Sequence, residues 1–179
     1  MPSKHFRFVL SAIATMCFAT VAFAQMPAYK QAGPVPPALT AAKTVFVSNA
    51  GSDSDLFPLP FERVHLYSGD PDRAYTEFFQ ALQKAGNFTL VADPAQADLV
   101  LELHLIAPYQ PISSDIHAPT PMFRLVVYDR KTHYILWAIT NSIETCARQS
   151  TCDKNFDTAL DGVLNQFLQI TGKAPAPAH

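Results

Sequence analysis

The apolar positions of this chain change period several times, and each change marks an element. Residues 43–48 (KTVFVS) alternate as a short strand and run into a polar, turn-rich stretch at 49–55 (NAGSDSD). Asp70 followed by Pro71 has the form of a helix N-cap with proline at the first helical position. Tyr75, Phe78 and Leu82 then recur at helical spacing until Gly86. Residues 88–91 resume an extended pattern. The clearest strand is 99–106, where Leu99, Leu101, Leu103 and Leu105 alternate with Val100, Glu102, His104 and Ile106. One face is wholly aliphatic and must be buried. Segments 123–128 and 133–143 are rich in β-branched and aromatic residues, and DRKT at 129–132 has the length and polarity of a hairpin turn. A helix over 153–171 closes the pattern, with Phe156, Leu160, Val163, Phe167 and Ile170 on one stripe and Gly172 as terminator. Gly162 in its middle costs about 1 kcal/mol relative to Ala.

The order β, α, β, β, β, β, α predicts an α+β fold: a mixed, largely antiparallel sheet of about five strands with two helices packed on one face. The ends have a different character. Lys4, His5 and Arg7 precede an apolar run over 8–21, and Ala22-Phe23-Ala24 stands before Gln25 in the small-x-small form of a signal-peptidase site. Residues 1–24 are therefore expected to be a secretory signal peptide, with the protein periplasmic or secreted. The run contains Ser11 and Thr15 and falls short of the ~20 apolar residues that span a bilayer, so a retained anchor is the weaker alternative. Met16 occupies the position before Cys17 where lipid-attachment processing wants a small residue. No stable membrane insertion is expected after cleavage. Residues 25–42, with Pro27, Pro34, Pro36 and Pro37, read as a disordered linker, 43–172 as a single domain, and 173–179 as an Ala/Pro-rich disordered tail.

With 179 residues, 49% of them hydrophobic, the chain can bury one real core and is too short for two full domains once its ends are removed. Without Lys4 and Arg7 the remaining basic residues fall four short of the 15 acidic ones, a charge of about −4. No Lys/Arg cluster is available to neutralise phosphates, which argues against nucleic acid as a partner. In an oxidising compartment a disulfide between Cys146 and Cys152 is the natural inference, with two free thiols or a metal pair as alternatives. A metal needs about four clustered soft ligands, and no second Cys pair or nearby His supplies them. Closing so short a loop stabilises by about 2 kcal/mol. C-x-x-C spacing is absent, so nothing around this pair suggests a redox enzyme.

Residues 88–103 (FTLVADPAQADLVLEL), the hairpin over 125–137 (LVVYDRKTHYILW) and the final helix resemble a recurring small envelope domain. The layout over 43–172 is similar to the amino-terminal domain of the Tol translocation protein and to outer-membrane lipoprotein activators of peptidoglycan synthases. The resemblance implies a non-catalytic bacterial envelope module working by protein contacts. The lipobox of the lipoprotein members is missing, and no binding residue carries over.

Candidate chemistry is sparse. His65, His104, His117 and His133 fall in four segments without ligand spacing, so no metal and no cofactor is expected. Glu102 and His104, two apart on a strand, project to the same face, where a carboxylate can orient an imidazole for base catalysis. That arrangement defines a small hydrolase as one alternative function, against the plainer reading of a polar sheet face; a small-ligand-binding periplasmic protein is another. Ser52, Ser113 and Ser114 lack the G-x-S-x-G context, and Asp53 and Asp55 do not complete a calcium loop.

The hairpin is more suggestive. If Tyr128 pairs with His133, Arg124 lies opposite Trp137 and Val126 opposite Ile135, and both faces carry large apolar groups. One helical layer covers only one of them. Val126, Ile135, Trp137 and Ile139 are then expected to form an apolar patch with Arg124 at its edge. The alternatives are that the 106–122 loop folds over this face or that a turn of different length exchanges the faces. That loop, punctuated by Pro108, Pro111, Pro119 and Pro121, carries Tyr109 as a further contact candidate. Trp137, Arg124, Tyr109, Ile135 and Val126 are thus the expected partner-binding residues, the partner being another envelope protein or a second copy.

Overall fold

The computed structural model describes residues 33–52, 65–111 and 117–174. The expected signal peptide lies outside these residues, as do Ser113, Ser114, Asp53 and Asp55. The described residues from Val35 onwards form one compact unit. Its elements are α1 (Pro37–Ala41), β1 (Thr44–Ser52), α2 (Arg73–Ala85), β2 (Thr89–Leu90), β3 (Leu99–Ile106), β4 (Tyr109–Pro111), β5 (His117–Pro119), β6 (Met122–Asp129), β7 (Ile135–Ser142) and α3 (Gln149–Ile170).

Five strands form one mixed sheet in the order β2-β1-β3-β6-β7, and β4 pairs with β5 in a separate ribbon. β1 runs parallel to β2 and β3, which α2 makes possible by crossing between them, whereas β3–β6 and β6–β7 are long antiparallel ladders. The fold is α+β, as the periodicity predicts. The aliphatic row of β3 is buried throughout. It packs with Val45, Phe123, Leu125, Val127 and Ile139 against Phe78 and Leu82 of α2 and Phe156, Val163 and Phe167 of α3. Phe156 meets Phe123 edge-on at 5.0 Å between ring centres, and Phe167 stacks on Phe88 at 5.3 Å.

The parallel strands are tied at their start by Asp98. Its carboxylate accepts hydrogen bonds from the N–H groups of Lys43 (2.8 Å) and Thr44 (3.0 Å). These donors hold the Asp98 carboxyl below its usual range, against a smaller opposing effect of burial.

Several boundaries differ from expectation. The end of the expected linker is folded: Leu39, in α1, is fully buried in the core, as is Ala42 beside it. A Pro-rich composition concealed one helical turn with Pro at its first position. The expected tail is ordered at Lys173, whose ammonium lies 3.6 Å from the centre of the Phe88 ring and donates to the Ala42 carbonyl at 2.6 Å. Burial lowers the pKa of this ammonium. Asp70 is not the N-cap of α2. Its carboxylate accepts from the Asp72 N–H at 2.7 Å, a local turn that places Pro71 ahead of the helix. α3 starts at Gln149, a turn earlier than its apolar stripe indicates, because Cys152 extends the stripe as a buried residue.

The hairpin register also differs. Asp129 pairs with Tyr134 through an N–H···O bond of 3.0 Å, His133 takes φ 60° in the turn, and Asp129 Oδ1 accepts from Lys131 N–H at 2.7 Å. The register then shifts between Val127 and Tyr128, leaving Leu136 as an extra residue on β7. Arg124 therefore faces Thr140, and Val127 faces Trp137.

Candidate contact surface

The revised register sorts the predicted contact residues onto different surfaces. Trp137 shares a face with Ile139 and Asn141, towards α3, and is half-buried against the core. The expected patch joining Trp137 and Ile139 to Arg124 does not form: the shifted register turns both to the helix side, where Ile139 is buried in the core. Arg124 is exposed on the second face of the sheet, opposite His104 on β3 and Thr140 on β7. Val126 occupies that same face but is buried, so it is not a surface contact. Ile135, opposite Tyr128, is 56% exposed. Tyr109 stands apart on the β4–β5 ribbon and is 64% exposed.

α2 and α3 pack on one face of the sheet, and the strand residues of the core cluster in the antiparallel half point towards them. The second face carries cross-strand rows: Phe46, Val100, Tyr128 and Ile135 in one; Ser48, Glu102, Val126 and Ala138 in the next; and His104, Arg124 and Thr140 beyond. Burial, then the adjacent Glu102 carboxylate, raises the Tyr128 phenol above its usual range, while Arg124 acts in the opposite sense. Glu102 and His104 do share this face, as their spacing predicts. Among the described residues no group of three His, Cys, Asp or Glu side chains is placed to hold a metal ion.

Sequence reasoning missed the junction of α2, α3 and residues 65–69. Arg73 reaches Glu77 at 2.7 Å, Asp153 at 3.1 Å and Asp157 at 2.6 Å, and it donates to the Ser68 carbonyl at 3.1 Å. Its guanidinium also lies 5.0 Å from the centre of the Phe156 ring. Burial opposes the charge of Arg73, and the carboxylates outweigh it, so its pKa rises. Asp153 accepts from the Ser68 N–H at 2.7 Å, the main cause of its lowered pKa. Five residues from three segments meet here, and apart from the i,i+4 pair of Arg73 and Glu77 no local spacing announces it. Beside the junction, Phe78, Ala81, Leu160 and Leu164 floor a groove of about 280 Å³ between α2 and α3.

Cys146 and Cys152 form a disulfide that joins the strand-to-helix connection to the first turns of α3. Among the described residues no helix is long and apolar enough to cross a membrane.

No family model matches the chain, and no curated protein matches it. Among solved structures the chain is similar to a DUF4136 family protein from Bacteroides thetaiotaomicron, with 14% identity and a TM-score of 0.49 over 76% of this chain and 92% of that one. It is similar to the PelC dodecamer from Paraburkholderia phytofirmans, with 16% identity and a TM-score of 0.44 over 80% and 94% of the two chains. It is also similar to the LpoB C-terminal domain from Escherichia coli, with 15% identity and a TM-score of 0.38 over 59% and 85%. The neighbours are bacterial proteins, among them this LpoB domain and a lipoprotein, GNA1162 from Neisseria meningitidis, and they match the resemblance drawn from the sequence.

Proposed function

We propose that this chain is an exported, non-catalytic binding or assembly module of the bacterial cell envelope that acts through protein contacts. The observation that carries the reading is the second sheet face, opposite the helical layer, on which exposed Ile135 and Arg124 stand. An apolar side chain more than half exposed, on the same sheet face as an exposed arginine two cross-strand rows away, is the composition of a contact surface rather than of a reaction site. Tyr109 on the β4–β5 ribbon is a second contact point, and Trp137 supports the surface from the helix side.

The test is photo-crosslinking in intact cells with the reactive group at Ile135. A discrete protein product that is lost in Arg124→Glu supports the reading. Absence of any product, together with loss of biological activity in His104→Ala and retention in Arg124→Glu, overturns it in favour of a hydrolase built on Glu102 and His104.

A further inference from the structure

The two edges of the sheet are unlike. Among the described residues β2 is two residues long and β7 eight, and no strand pairs with the outer side of β7. Ile143 donates its N–H to the Pro121 carbonyl at 2.8 Å, and the β6–β7 register runs from Met122↔Ser142 to Val127↔Trp137. Main-chain groups alternate in direction along an antiparallel strand, so Trp137, Ile139 and Asn141 turn theirs towards β6. Ala138, Thr140 and Ser142 turn theirs outwards. β7 contains no charged residue and no proline, two devices by which edge strands resist pairing. Its start is flanked by Tyr134, 74% exposed, and Ile135, two of the three exposed large hydrophobics among the described residues.

We propose that β7 pairs antiparallel with β7 of a second copy, joining two five-stranded sheets into one. The proposal names one contact within the contact-module reading given above and rests on it. A second copy is the occupant because β7–β7 pairing is self-complementary. The strand is uncharged, so no like charges meet across the two-fold axis. A head-to-tail chain of copies would have to use β2, which offers only Thr89 and Leu90. Pairing the straight segment beyond the Leu136 bulge with itself places the axis at Ile139, with Ala138 opposite the partner's Thr140. Residues that face each other in an antiparallel pair point to the same side, so α3 of both copies lies on one side of the joined sheet.

Sedimentation equilibrium of the purified chain tests this, with Thr140→Pro and Thr140→Lys as variants. The Thr140 N–H points away from β6, so Thr140→Pro removes a bond to the partner and spares the ladder within the chain. Thr140→Lys adds two like charges beside the axis on an exposed position and keeps the test valid if the proline variant unfolds. The expected result is twice the chain mass for the native sequence and loss of that doubling in each folded variant, with unchanged far-ultraviolet circular dichroism. A monomeric native chain, or a dimer that persists in Thr140→Lys, overturns the pairing. A photo-crosslink from Thr140 to a different protein, with none to a second copy, also overturns it. Any of these leaves the Ile135 crosslinking test to judge the broader reading separately.

Discussion

Asn141 stands where a Cβ on Gly162 would be: its side-chain amide donates to the Ala159 carbonyl at 3.1 Å and fills the space over the glycine. The mid-helix glycine, unfavourable by propensity, thus lets β7 lie close against α3. Gly162→Ala should therefore fail to deliver the ~1 kcal/mol gain expected in a helix interior. In an Asn141→Ala background the same change should recover that gain. A double-mutant cycle from urea unfolding should give a coupling of about 1 kcal/mol; a coupling near zero would show that Asn141 yields without cost.

Arg73 should be the most sensitive polar position. Arg73→Ala removes three ion pairs and the contact over Phe156 while leaving Asp153 and Asp157 without their cation. The partners are partly exposed, so the expected loss is about 1–3 kcal/mol rather than the larger cost of breaking a fully buried pair. Arg73→Lys should restore only part, since one ammonium cannot reproduce the guanidinium fork. Equal urea midpoints for the native chain and Arg73→Ala would rule this out.

Acid should weaken the fold through Asp98 and Asp153. Both have folded-state pKa values below the ordinary 3.8, Asp98 through the Lys43 and Thr44 N–H groups and Asp153 through Ser68. A depressed carboxyl pKa contributes stability that is present above 3.8 and is lost as pH falls through the folded value, because the unfolded chain binds protons first. Asp98→Asn should flatten the fall in unfolding free energy below about pH 4. Asp98 is exposed, so its share is at most about 1 kcal/mol. An unchanged pH slope in this variant would remove Asp98 from the account.

Reduction should destabilise without abolishing the fold. The Cys146–Cys152 link closes a short loop at the start of α3, and the chain-entropy cost of opening it is about 2 kcal/mol. Cys146→Ser is the cleaner variant, because Cys152 is fully buried and its replacement would also disturb the core. The thermal midpoint of Cys146→Ser should match that of the reduced native chain. A much lower midpoint for the variant would point to a role for Cys146 beyond the link.

The sequence by itself determined the elements whose periodicity is local. The Leu99 to Leu105 row, the stripe from Phe156 to Phe167 and the helix around Phe78 and Leu82 are legible because alternation and helical spacing report burial directly. Tertiary structure decided which residues share a surface. One bulged residue at Leu136 moved Trp137 from the expected contact patch to the helix side and left Arg124 facing Thr140. Side chains change faces with every single-residue shift of register, and register depends on the turn and on packing across the sheet. The same applies to the Arg73 junction and to Asn141 over Gly162. Each unites segments far apart in sequence, through contacts that no spacing within one segment encodes.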